Sequence, residues 1–233
     1  MGFIGAEKQG RAVWKRSIKV EADVANAVSQ GERVDVAFPL AGESVPLDHG
    51  YALFGALCRV LGDLHGADWL AVHPVRGTAA GGTLRLKQHN LALRLRVAPG
   101  EITRILPLAG KSLDIDGSRV LVGTSRVFAL EPRPALYARM VVIKGFMEPD
   151  TFLDAVRRQM TERDIKGEAS ISTRPSGEPW RRVLAVAGDT VVGFPVELRG
   201  LDDESSLRAQ RLGIGGRQRF GCGVFVPARA TAE

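Results

Sequence analysis

VDVAFPLAGESVPLDHGYALFGALCRVLGDLHG, residues 34–66, changes its hydrophobic period part-way along. Val34, Val36 and Phe38 alternate as in a half-buried strand. From Pro46 and Asp48, both helix-start signals, the period becomes helical. Ala52, Leu53, Ala56, Leu57, Val60, Leu61 and Leu64 form one apolar stripe that predicts a helix running to Gly66. The chain downstream then fills in a recurring order. TLRLK (83–87) and NLALRLRV (90–97) alternate apolar with basic residues as a strand pair, EITRILPLAG (101–110) reads as a short helix stopped by Pro107 and Gly110, and LDIDGSRVLVG (113–123) returns as a strand or hairpin.

Strand, helix, two strands, helix, strand is the ferredoxin-like (RRM-like) order, and the second half repeats it. ALYARMVVIKG (135–145) supplies a strand and EPDTFLDAVRRQMTERDI (148–165) a helix. RRVLAVAG (181–188) and TVVGFPVELRG (190–200) supply a strand pair, LDDESSLRAQRLG (201–213) a second helix and CGVFV (222–226) a last strand. The expected class is therefore α+β with tandem ferredoxin-like domains. Its divisions are an N-terminal extension 1–33, a first domain 34–130, the linker EPRPAL at 131–136, a second domain 137–227 and a tail 228–233. One larger α+β domain is the alternative.

Composition narrows the partners. In 233 residues, 32 Lys and Arg against 26 Asp and Glu leave a net charge of +6, which favours an anionic partner. Aromatic residues are only 6% of the chain, so broad base-stacking platforms are not advertised. Cys58 and Cys222 have no CxxC spacing and support neither zinc nor a disulfide framework, consistent with a reducing cytoplasm. MGFIGAEKQGRAVWKR lacks the apolar core of a signal peptide, and no run of about 18 apolar residues suggests a membrane span. A cytoplasmic protein without membrane partners is expected.

Four histidines, His49, His65, His73 and His89, offer proton chemistry near neutral pH. His49 precedes the first helix, His65 follows it and His73 lies in WLAVHPVRG. No HExxH or comparable ligand spacing joins them, so no metal is expected, and no P-loop is present. The segment GGRQRFGCG, 215–223, follows a predicted helix and precedes a strand, opposite to the dinucleotide-binding context. Two readings stay open for it. It is a tight turn into the last strand with solvated arginines, or a loop whose backbone N–H groups, with Arg217 and Arg219, meet phosphate oxygens. Further basic positions are Arg94 and Arg96 on a strand, Lys144 at a strand end, Arg157 and Arg158 on a helix, and Arg181 and Arg182 beside Trp180. The indole either stacks on a base or packs in a hairpin.

LDHGYALFGALCRVLGDLH (47–65), AVHPVRG (71–77), ALYARMVVIKGFMEPDTFLDAVRRQM (135–160) and GIGGRQRFGCGVFVP (213–227) together resemble the CRISPR-associated Cas-six endoribonucleases, in particular the Myxococcus-type branch. The resemblance spans about residues 34–227. It implies tandem ferredoxin-like domains and a glycine-rich loop beside bound RNA, giving Gly215, Gly216, Gly221, Gly223, Arg217 and Arg219 an RNA-binding role; Arg181, Arg182, Lys144, Arg157 and Arg158 are added as RNA-binding candidates on their charge. It also implies a catalytic histidine after the first helix and a tyrosine near that helix's start, matched by His65 and Tyr51. The usual basic residue has no lysine counterpart just after His65; Arg76 is the nearest candidate, and His49 or His73 could take one of the roles. The implied activity is cofactor-free, metal-independent cutting of CRISPR precursor repeat RNA into guide RNAs, with other effector subunits as further partners. The alternative is a non-cleaving RNA-binding subunit of an effector complex.

Overall fold

The computed structural model describes residues 32–86 and 91–228. Most of the predicted extension, the 229–233 part of the tail, and residues 87–90 with His89 lie outside the described residues. Glu32 and Arg33 are held to the body: Arg33 donates to the carbonyls of Trp69 and Asp68, each at 2.7 Å, and Arg211 donates to Glu32 Oε1 at 2.7 Å.

The first half contains β1 (Val34–Ala41), β2 (Ser44–Pro46), α1 (Gly50–Leu61), β3 (Leu70–Val72), β4 (Thr78–Ala80), β5 (Thr83–Arg85), β6 (Ala92–Val97), α2 (Ile102–Ile105), β7 (Ser112–Ile115), β8 (Ser118–Val122) and β9 (Arg126–Ala129). Its main antiparallel sheet runs β3-β6-β1-β8-β7. β9 shares the β8 side of β1, opposite Val34–Ala37, while β8 takes Leu40 and Ala41. The apolar face of β1, with Val36 and Phe38, packs on Leu53 and Leu57 of α1 and on Leu93 and Leu95 of β6.

Three sequence expectations change here. The strand beside β6 is β3, not the TLRLK stretch; β5 pairs with β2 and β4 in a separate small sheet. All three residues of β3 are buried, so it shows no alternation to read. α1 stops at Leu61 rather than Gly66, because Gly62 adopts φ +85° and its N–H returns to the Cys58 carbonyl. Leu64 is still buried, so the loop carries the apolar stripe on past the helix end. Finally, β9 adds a strand that the sequence order omitted.

The second half contains β10 (Leu136–Val141), α3 (Pro149–Glu162), β11 (Glu168–Ile171), β12 (Arg182–Val186), β13 (Asp189–Arg199), α4 (Asp203–Leu212) and β14 (Val226–Pro227). The sheet order is β11-β13-β10-β14. β12 does form the expected hairpin with β13, through positive-φ Ala187 and Gly188, but it pairs only with the outer part of β13. The inner part pairs with β10 and β11. β11 alternates only between exposed and half-buried positions, which hid it in the sequence. The last strand is Val226–Pro227 alone; Cys222 to Phe225 are buried loop. Asp202 caps α4, its carboxylate accepting from Ser205 N at 2.7 Å. Phe152 and Val156 of α3 meet Phe194, Val196 and Leu198 of β13 in a second core. Among the described residues, no helix is long and apolar enough to cross a membrane.

Candidate functional site

Three histidines are described, and their surroundings separate them. His49 stands at the start of α1, 2% exposed. Its Nε2 accepts from the Val75 N–H at 3.0 Å, which puts the ring proton on Nδ1, where it donates to the Pro46 carbonyl at 3.0 Å. Burial pushes its pKa down to about 4. His73 is buried with Nε2 3.2 Å from Asp35 Oδ1, and burial lowers its pKa as well. Both rings are spent inside the protein, against the expectation that either could replace His65. A histidine's type and position say nothing of whether its neighbours will bury it.

His65 is different. It lies in the turn after α1 with 71% of its side chain exposed. Asp63 Oδ1 accepts from the His65 N–H at 2.8 Å and lies 4.0 Å from its Nδ1. Its ring rests 5.5 Å from that of Phe54. Phe54 in turn meets Phe220 edge-on at 5.2 Å, and Phe220 meets Tyr51 edge-on at 5.7 Å. Tyr51 and Phe54 are three residues apart on α1 and so share a face. The result is a row, Tyr51–Phe220–Phe54–His65, with exposed polar groups at both ends. Phe220 is the link, and it comes from the glycine-rich loop of the other half. Arg76 is exposed between β3 and β4.

The glycine-rich loop packs rather than cradles. Gly213, Gly215, Gly221 and Gly223 all take φ between +64° and +84°. A Cβ on Gly215 would stand 2.3 Å from the Val142 carbonyl oxygen, and one on Gly223 2.2 Å from that of Ile214. The backbone N–H groups are also engaged. Gly215 donates to Gln159 Oε1 at 2.8 Å, Gly216 to the Val142 carbonyl at 2.9 Å, and Gly223 to the Met140 carbonyl at 2.7 Å. Of the two readings left open for the loop, these amides favour the packed turn: they are not free to face phosphate but fasten the loop to the end of β10 and to α3. Arg217 is exposed in the left-handed region at φ +63°. Arg219 is part-buried, its Nη1 donating to the Leu64 carbonyl at 3.0 Å with the guanidinium 5.8 Å from the Phe54 ring.

Beside this row, an open cleft of about 380 Å³ lies between the halves. Leu47 to Gly50 form one wall, and Arg139, Trp180, Arg181 and Arg182 line the other, with Phe220 at the junction. The Arg182 guanidinium stacks 4.1 Å from the centre of Trp180, whose indole stays 39% exposed. Trp180 is therefore not part of either core; it packs against Arg182 at the rim of the cleft. Arg139 was not singled out in the sequence, although the buried Leu136, Ala138 and Met140 of β10 alternate with it. Burial and the nearby Arg182 charge lower its pKa. Asp48 Oδ2, accepting from Ala185 N at 2.8 Å, ties the cleft walls together.

Other basic candidates are not brought here. Arg157 pairs with Asp154 at 3.2 Å, and Arg158 lies 3.9 Å from Glu162 and against Phe146; neither lines the cleft. Lys144 is exposed just past β10, two residues beyond Val142, where the glycine-rich loop is fastened. Among the described residues, no three His, Cys, Asp or Glu side chains converge as a metal site.

A family model described as Cas6 Crispr matches residues 34–230. The chain is 38% identical over 200 residues, 86% of its own length and 84% of the relative's, to the CRISPR-associated endonuclease Cas6 of Myxococcus xanthus (strain DK1622). Among solved structures, a Cas6-related protein from Pyrococcus furiosus superposes with TM-score 0.61 at 12% identity, covering 86% of this chain and 99% of that one. A CRISPR-associated protein Cas6 superposes with TM-score 0.56 at 10% identity, covering 84% and 99%. At such identities the structures speak for the fold, while the family match and the Myxococcus relative span nearly the whole described body: the chain belongs to the Cas6 family.

Proposed function

We propose that this chain cuts CRISPR precursor repeat RNA without a metal ion, by attack of a 2′-hydroxyl on the adjacent phosphate. The observation that carries the reading is the row in which exposed His65 and Tyr51 are joined through Phe54 and Phe220 at the edge of an arginine-lined cleft. The 2′-oxygen forms a bond to phosphorus as the bond to the 5′-oxygen breaks. One proton leaves the 2′-hydroxyl and one reaches the departing oxygen, so the products are a 2′,3′-cyclic phosphate and a 5′-hydroxyl. His65 carries one of these transfers. Tyr51 carries the complementary transfer or positions the phosphate. Positive charge from Arg76 and the cleft arginines opposes the charge that builds on the phosphate oxygens. Arg139, Arg181, Arg182 and Arg217 hold the RNA backbone, and Trp180 offers a stacking face.

Each half is proposed to be one ferredoxin-like unit, the first occupying 34–130 and the second 137–227. The sheet orders β3-β6-β1-β8 and β11-β13-β10-β14 support this, since each sets its unit's strands in the order second, third, first, fourth. We place the activity in the cytoplasm, where the precursor transcript is made.

The test is single-turnover cleavage of the cognate repeat RNA in the presence of a chelator. Parent protein should give the cyclic phosphate product, and His65→Ala should slow cleavage by about 10²-fold or more while keeping RNA affinity. A single 2′-deoxy substitution at the cut should stop the reaction. Binding without cleavage by the parent would assign the chain to a non-cutting RNA-binding role, and cleavage by His65→Ala within threefold of the parent would remove His65 from the chemistry.

A further inference from the structure

We propose that Arg219 is the positioning residue of the His65 turn, acting through Leu64 and not as one more phosphate contact. The inference rests on the reading of His65 as a proton-transfer group. The turn that carries His65 is closed by the Ala67 N–H donating to the Leu64 carbonyl at 3.0 Å, and Arg219 Nη1 donates to the same oxygen at 3.0 Å. Both lone pairs of that carbonyl are then used, one from within the turn and one from a residue 155 positions away in the other half. The Leu64 side chain is 2% exposed, so the core holds the residue that Arg219 grips.

Arg219 is itself well supported. It sits in the 3-10 turn Gln218–Phe220, where Phe220 N donates to the Arg217 carbonyl at 2.9 Å and Gly221 N to the Gln218 carbonyl at 3.1 Å. The Gln218 side chain reaches back to the Leu212 carbonyl at 2.7 Å. The adjoining Phe220 packs between Tyr51 and Phe54, and the Arg219 guanidinium lies 5.8 Å from the centre of the Phe54 ring in the same row. One short segment of the second half therefore sets both ends of the site, Tyr51 through Phe220 and His65 through Arg219. The backbone N–H groups of the exposed turn donate locally, His65 N to Asp63, Ala67 N to Leu64 and Asp68 N to Gly66; Arg33 holds the far end at the Asp68 carbonyl, and Arg219 holds the residue next to His65. Proton transfer requires the imidazole within hydrogen-bond reach of the reacting oxygen, and a displacement of about 1 Å can cost about 10²-fold in rate.

Two readouts separate positioning from phosphate contact. Arg219→Ala should lower the single-turnover rate at saturating RNA by roughly 10- to 100-fold, with affinity within about threefold of the parent. In RNA-free protein, the His65 ring-proton resonance should also move or broaden in the variant. Where Arg219→Ala fails to fold, Arg219→Lys carries the same measurements. It keeps the charge but loses the planar group over Phe54, and a partial loss of saturating rate with parent-like affinity is expected. A loss confined to affinity and its salt dependence, with an unmoved His65 resonance, would make Arg219 a phosphate contact and overturn the proposal. A parent protein that fails to cleave sinks the cleavage reading instead, and the resonance measurement still decides whether Arg219 holds the turn.

Discussion

At the scale of single residues, the neighbours of a side chain decide its chemistry. His49 is held neutral because its Nε2 faces the Val75 N–H; a second ring proton would set donor against donor in a buried pocket. With a folded pKa pushed down to about 4 and an unfolded value near 6.5, the unfolded chain binds protons first as pH falls. The stabilisation is complete above about pH 6.5 and is lost progressively towards pH 4. Between pH 7 and pH 5, a window that stays above the range where Asp35 is protonated in the unfolded chain, His49 should account for about 2 kcal/mol of lost stability. His73, also depressed by burial, acts in the same direction, so its share of the slope persists in a His49 variant. Urea titrations at the two pH values should show a shallower loss for His49→Gln than for the parent. Equal slopes would mean that His49 titrates normally in the folded protein.

Among the elements, the glycine-rich loop makes the clearest case of local chemistry serving packing. Gly215 and Gly223 combine positive φ with backbone oxygens at 2.3 and 2.2 Å from the place a Cβ would occupy. Gly216 has open space around that place and an ordinary φ. Alanine at 215 or 223 should therefore cost about 2 kcal/mol or more, through strain and displacement of the loop from β10, whereas Gly216→Ala should stay within about 0.5 kcal/mol. Chemical denaturation of the three variants checks the order. Equal tolerance at all three positions would contradict the packing role. The same packing aims Phe220 and Arg219 at α1 and its following turn, so a loop glycine can affect a histidine it never touches.

Across the whole molecule, Arg96 joins the halves. It is 1% exposed, with Nε 2.8 Å from Asp35 Oδ1 and Nη2 3.2 Å from Oδ2, while Nη1 donates to the carbonyls of Gln210 and Phe225 at 2.6 and 2.9 Å. The last two belong to α4 and to the loop before β14, the segments on either side of the glycine-rich loop. Removing one member of such a buried pair leaves the other uncompensated, so Arg96→Ala should cost about 3–5 kcal/mol. Asp35→Ala should cost much less in the Arg96→Ala background than in the parent, because the same interaction is then already gone. Denaturant unfolding of the four proteins measures this coupling, and additive effects would deny that Asp35 and Arg96 act as a unit.

The sequence by itself determined what is written in short-range patterns. The alternation of Val34, Val36 and Phe38 and the helical stripe that begins at Ala52 each depend on residues a few positions apart, and both elements stand in the structure, although the helix ends at Leu61 and not at Gly66. The motifs around Tyr51, His65 and the glycine-rich loop also sufficed to suggest the family. Only the tertiary structure decided that β6 lies beside β3, that His49 and His73 are buried while His65 is exposed, and that Arg219 grips Leu64 while Arg96 bridges the halves. A hydrophobic period records that one face is covered but not what covers it. An arginine's charge likewise does not tell whether its hydrogen bonds go to RNA or to a carbonyl 155 residues away.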